Sequence, residues 1–124
     1  LLGNAYWTYI FGTMFESLRG TRRMLIFVAA AAVLSNVIQC AVSGPSFGGL
    51  SGVGYGLFGF LWIKGRFDPW SGFRLHPTTV FMFVAWFFLC MTPVVGHVAN
   101  TAHAVGFLVG AVWAYAPIAL GRKG

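Results

Sequence analysis

The sequence predicts an all-α polytopic membrane protein: a single domain over residues 1–124, built as a helical bundle with five transmembrane segments. Three observations carry that prediction. Hydrophobic residues make up 58% of the chain and charged residues 8%. Soluble domains carry about 25% charge, so this chain cannot cover a water-facing surface. The apolar residues fall into five runs near the length a helix needs to cross a bilayer. Finally, the eight basic residues cluster as Arg19, Arg22 and Arg23, as Lys64, Arg66 and Arg74, and as Arg122 and Lys123, while the connections at 41–50 and 92–100 carry none. Alternate loops therefore hold all the positive charge, which assigns the basic loops to the cytoplasmic side. The net charge of +6 reflects this topology. It excludes nucleic acid as a partner, because no water-facing surface interleaves basic and aromatic residues.

The first segment covers about 1–18, with Asn4 near its outer end and Glu16 near its inner end. A chain that opens inside a helix at Leu1 is expected to be a fragment of a longer protein. The second segment, about 24–42, is opened by Arg22 and Arg23 and is dense in Ala, Val, Leu and Ile. A turn-favouring stretch follows, Ser43-Gly44-Pro45-Ser46-Phe47-Gly48-Gly49. The third segment, about 50–63, is short. From Ser51 to Lys64 a helix rises only about 20 Å, against a hydrocarbon core of about 30 Å. With Lys64 at the inner interface, Ser51 lies roughly 10 Å below the outer one. Irregular backbone at that depth must be buried in protein or reached by water, so the glycine-rich loop is expected to dip into a cavity open to the outside. A polar connection, Lys64 to Pro77, leads to the fourth segment, about 78–92, interrupted by Pro93. The fifth covers about 99–119, and a helix ending near Pro117 puts His103 at a depth comparable to Ser51.

Glycines predict which helices meet. Gly48, Gly52 and Gly56 recur every four residues on the third segment, with Gly59 three further on, and His103, Gly106 and Gly110 share a face of the fifth. Small residues let membrane helices approach backbone to backbone, which a serine–histidine hydrogen bond between separate helices requires. Ser51 falls in the first turn of its helix, where free N–H groups and the macrodipole favour negative charge. That pattern predicts a hydrolytic site. Ser51 is the candidate nucleophile and His103 its base. The oxyanion falls to the amides of Leu50 and Ser51 with the Asn4 side chain. Taken singly, Ser51 serves equally well as a helix N-cap and Asn4 as an interhelical hydrogen bonder. The two acids, Glu16 and Asp68, both belong at the inner end, so a dyad is expected rather than a triad. Tyr55, one turn after Ser51, is placed to pack its ring on His103. His76 and His97 rank behind His103, and Glu16 is expected to knit helix ends. No metal-ligand spacing occurs, two intramembrane acids are lacking, and no cofactor is expected. Cys40 and Cys90 read as small apolar residues in helices.

Gly49-Leu50-Ser51-Gly52 resembles the G-x-S-G motif of rhomboid intramembrane serine proteases, and Ala102-His103-Ala104-Val105-Gly106 with Gly110 resembles their A-H-x-x-G-x-x-x-G motif. The longer runs 43–52 and 65–69 resemble bacterial rhomboids as well. The resemblance implies a six-helix core of which this chain supplies the second to sixth helices. It also implies an H-x-x-x-N motif whose Asn is Asn4 and whose His falls one position before Leu1. By the same resemblance the fourth segment here is a lateral substrate gate, with Trp86, Phe87 and Phe88 leaning on Tyr6, Trp7 and Phe11, and Thr92 to Asn100 forms a flap. The implied function is cleavage of transmembrane protein substrates in a bacterial plasma membrane, with the site open to the extracytoplasmic side. Gly106 would support the dyad by holding the two helices together. A non-catalytic rhomboid-like protein that binds transmembrane clients is the alternative; a channel is disfavoured because few polar residues lie below the depth of Ser51. Nothing in the spacing sets an oligomeric state.

Overall fold

The computed structural model describes residues 2–43, 49–89 and 100–121. They form five α-helices, α1 (Leu2–Arg19), α2 (Thr21–Ser43), α3 (Gly49–Phe67), α4 (Pro77–Leu89) and α5 (Asn100–Ala119), with a 3-10 turn at Pro69–Ser71. All five expected segments are present, and the third ends later than expected. The third continues past Lys64 to Phe67. The Asp68 amide still donates to the Lys64 carbonyl at 2.9 Å, and the Lys64 ammonium lies 3.9 Å from the Asp68 carboxylate. The fifth ends at Ala119 as expected, with Pro117 inside its last turns. A proline in the last turns removes one helical N–H, and the amides of Leu120 and Gly121 still reach the carbonyls of Ala116 and Ile118. The expected dipping loop at 44–48 and the connection at 90–99, with Cys90, Pro93 and His97, lie outside the described residues.

A single residue, Gly20, separates α1 from α2. Gly20 adopts a left-handed φ of 88°, which lets its amide donate to the Glu16 carbonyl at 2.7 Å. Thr21 donates its hydroxyl to the Glu16 carboxylate at 2.6 Å, so Glu16 knits these helix ends as expected.

α3 is the axis of the bundle. Every residue from Gly52 to Leu61 is buried, as befits a helix apolar on all sides. α1, α2 and α5 surround it closely, and α4 stands further off. The core is largely phenylalanine: Phe11 and Phe15 from α1, Phe27 from α2, Phe58 and Phe60 from α3, and Phe73 from the connection. The Phe15 and Phe60 rings lie 4.7 Å apart, and Phe73 closes the basic end edge-on to Phe60 at 5.4 Å. The outside of the bundle is also apolar, with Leu25, Val33 and Val37 on α2, Phe81 and Phe88 on α4, and Leu108 and Val112 on α5 all exposed. A bundle apolar inside and out belongs in lipid. Among the described residues α2 alone, over Thr21–Ala41, is long and apolar enough to cross a membrane by itself.

Candidate active site

The site is built where α3 and α5 touch. An added Cβ on Gly106 would land on the carbonyl of Gly52, and one on Gly110 would land on the carbonyl of Gly56. Four residues on one helix thus match four on the other, so the two run parallel in register. Further along, an added Cβ on Gly59 would lie 2.6 Å from the Phe107 carbonyl oxygen. The glycine stripe expected from the sequence is therefore the actual contact, from Gly52 to Gly59. Its Gly48 lies outside the described residues.

That register fixes the neighbours. His103 lies one turn before Gly106, and Ser51 one residue before Gly52. Ser51 is the third residue of α3 and His103 the fourth of α5, so both occupy first turns at the same end of the parallel pair. Asn4 belongs to the first turn of α1. Asn4, Leu50 and Ser51 are placed by their helix backbone; their side chains lie outside the described part of the structure.

His103 is almost fully buried, at 2% exposure. The Tyr55 ring packs on its imidazole with centroids 4.7 Å apart and planes 31° apart, the contact expected from the sequence. Tyr55 and Ser51 are four residues apart, on the same face of α3 and about 6 Å apart along it. The turn bearing Ser51 is thus the one that precedes, towards the start of α3, the turn whose ring touches His103. His103 Nδ1 is buried with no hydrogen-bond partner among the described residues. Both acids of the chain are engaged at the basic end, Glu16 with Thr21 and Asp68 with Lys64. The imidazole is held by a ring face.

Tyr55 also does something not anticipated. Its hydroxyl donates to the main-chain carbonyl of Phe83 on α4 at 2.8 Å. One side chain therefore ties together α3, α4 and α5. Phe83 itself is the aromatic residue the sequence reading missed. Its ring lies 5.3 Å from Trp7, 5.2 Å from Phe11, 5.5 Å from Tyr55 and 4.8 Å from Phe58. Trp86, Phe88 and Tyr6, expected in this seam, are exposed instead. Consecutive residues such as 86, 87 and 88 point about 100° apart on a helix and cannot all face one partner. The i, i+4 pair Phe83 and Phe87 can, and Phe87 does reach Tyr55, at 5.9 Å.

The remaining histidines separate as expected where they are described. His76 caps α4: its Nδ1 accepts from the Thr78 amide at 3.1 Å and its carbonyl from the Thr79 amide at 2.9 Å. Thr8, four residues after Asn4, keeps its hydroxyl buried and without a hydrogen-bond partner among the described residues, against Gly54 of α3. Its i+4 spacing from Asn4 was the available signal. Among the described residues no group of three or more His, Cys, Asp or Glu side chains could hold a metal ion. Cys40 is a free, exposed cysteine on α2.

Comparison with known proteins gives a consistent answer. The family model described as the Rhomboid domain matches residues 1–119. Rhomboid protease GlpG of Klebsiella pneumoniae is 35% identical over 124 residues, covering 99% of this chain and 45% of that protein. The proteins of the same name from Salmonella paratyphi A and Enterobacter sp. are each 34% identical over the same extent. The chain thus spans a little under half the length of the curated relatives it matches. With the family model covering nearly all of its residues, this chain belongs to the rhomboid family and has its helical membrane fold.

Proposed function

We propose that the protein is an intramembrane serine endopeptidase that cleaves transmembrane segments of membrane proteins with a Ser51–His103 dyad. The observation that carries this reading is the packing of Tyr55 on His103 beside the Gly52–Gly106 backbone contact. It brings the first turns of α3 and α5 side by side. The name shared by the relatives, rhomboid protease, supports the same activity.

In this reading residues 1–124 form one domain, all five helices cross the bilayer, and the basic loops face the cytoplasm. The dyad then opens to the extracytoplasmic side of a bacterial plasma membrane. His103 accepts the Ser51 hydroxyl proton as the Ser51 oxygen adds to the scissile carbonyl carbon. The resulting oxyanion is held by the amides of Leu50 and Ser51, at the positive end of the α3 dipole, and by the Asn4 side chain. The C–N bond breaks as His103 returns the proton to the leaving amine. Water then attacks the acyl-enzyme with His103 again as base. Among the described residues the Tyr55 ring packs on the imidazole, so orientation comes from ring packing in place of a carboxylate.

The test uses full-length protein in vesicles with a transmembrane substrate. Ser51→Ala and His103→Ala should each lower turnover by about a thousandfold or more. A fluorophosphonate should label the wild type and neither variant. Unchanged turnover in Ser51→Ala refutes the assignment, and labelling that persists in both variants points to another serine.

A further inference from the structure

A cavity of about 480 Å³ opens at the basic end of the bundle, between the start of α2 and the end of α5. Its lining residue Trp113 lies ten residues along α5 from His103, about 15 Å away, so it is separate from the candidate active site. The buried rings of Phe15 and Phe60 form its floor, the exposed side chains of Ile26 and Trp113 its walls, and Arg19 and Arg23 its polar rim. Arg19 is held in place, its guanidinium 5.0 Å from the centre of the Phe73 ring. The two arginines act on each other as like charges, and Asp68 exerts a smaller opposite pull on Arg19. Neither forms an ion pair among the described residues, since the acids are taken by Thr21 and Lys64.

Two guanidiniums without a paired carboxylate, set over an aromatic chamber whose exposed lining includes Ile26 of α2 and Trp113 of α5, favour an anion with an apolar body. We propose that this cavity seats an anionic phospholipid. Arg19 and Arg23 bridge its phosphate, and the first carbons of an acyl chain lie against Ile26 and Trp113. Guanidinium–phosphate pairs are strong and geometrically matched, and basic pockets between membrane helices suit such headgroups. The proposal requires membrane placement and is independent of catalysis.

The full-length protein is reconstituted in vesicles of phosphatidylcholine with a variable fraction of phosphatidylglycerol. Either lipid carries brominated acyl chains, and quenching of Trp113 is read as the difference between wild type and Trp113→Phe. Brominated phosphatidylglycerol should quench Trp113 at a lower mole fraction than brominated phosphatidylcholine, with the preference falling about fivefold for each arginine changed to Gln. Arg66→Gln, on the exposed end of α3, should leave it unchanged. If the double variant does not fold, Arg23→Gln alone must still lower the preference, because Arg23 is exposed and bears no packing load. Equal quenching by both lipids, or a preference that survives loss of both arginines, overturns the proposal. So does loss of the preference in excess inorganic phosphate, which would make this a site for the free anion.

Discussion

α5 meets α3 backbone against backbone, whereas α4 meets the bundle through rings and one hydroxyl. The first joint is made of glycines, with Gly106 on the carbonyl of Gly52 and Gly110 on that of Gly56. Nothing in it can rotate to accommodate a change. The second joint has no buried residue on α4 and is made by Val80, Phe83, Val84, Phe87 and the Tyr55 hydroxyl. In lipid, rings that part are covered again by acyl chains, so each contact is worth only about 1 kcal/mol. The α3–α5 joint therefore fixes geometry, and the α4 joint rests on side-chain contacts that can yield one at a time. Tyr55 touches both.

The largest effect should come from filling the rigid joint. Gly106→Ala drives a methyl group into the Gly52 backbone, where no side chain can yield. It should cost about 3 kcal/mol or more in denaturant unfolding from micelles and remove fluorophosphonate labelling. Gly12→Ala is the control, since nothing lies within 4 Å of its added methyl, and it should be neutral or slightly stabilising. Equal costs for the two would mean that α3 and α5 are not held by close approach.

Next comes the residue shared by both joints. Tyr55→Leu removes the ring from His103 and the hydroxyl from Phe83 together, and should lower labelling at least about tenfold by freeing the imidazole. Tyr55→Phe keeps the ring and loses only the hydrogen bond, about 1 kcal/mol. It should retain labelling while loosening α4, read as faster exchange of the α4 amides. Equal labelling in Tyr55→Leu and wild type would show that ring packing does not position His103.

These joints were not equally legible in the sequence. Glycine spacing announced the α3–α5 contact because small residues at i, i+4 have one strong use in membranes, and both motifs sat on that face. Tyr55 followed from its spacing to Ser51. The α4 contact was obscured because the segment reads Phe-Met-Phe-Val-Ala-Trp-Phe-Phe-Leu, apolar on every face. Composition cannot tell a ring facing protein from one facing lipid when both are apolar. The end of α3 was also hard to read. The Lys64 charge suggested the end of the apolar run, and the helix runs on to Phe67 because the Lys64 side chain is buried beside Asp68.

A moderate effect is expected at Phe83, which meets four rings from α1 and α3. Phe83→Ala should cost about 1–2 kcal/mol, less than a soluble core because lipid refills the gap. Its main signature should be faster entry of substrate with labelling preserved. A loss as large as that of Gly106→Ala would show that α4 belongs to the rigid part.

Trp86 should have the smallest effect, although it is the bulkiest aromatic on α4. It is 47% exposed, rotated roughly 60° around the helix from Phe83 and 100° from Phe87, and no ring contact is found for it among the described residues. Trp86→Ala should change stability by no more than about 0.5 kcal/mol, the range of substitutions that break no packed contact. Proteolysis of a transmembrane substrate should proceed at the wild-type rate beside a faster Phe83→Ala enzyme. If the order is reversed, with Trp86→Ala the faster, the face of α4 that meets α1 during catalysis is turned from the one seen here. The α4 joint would then be mobile in rotation as well as in separation.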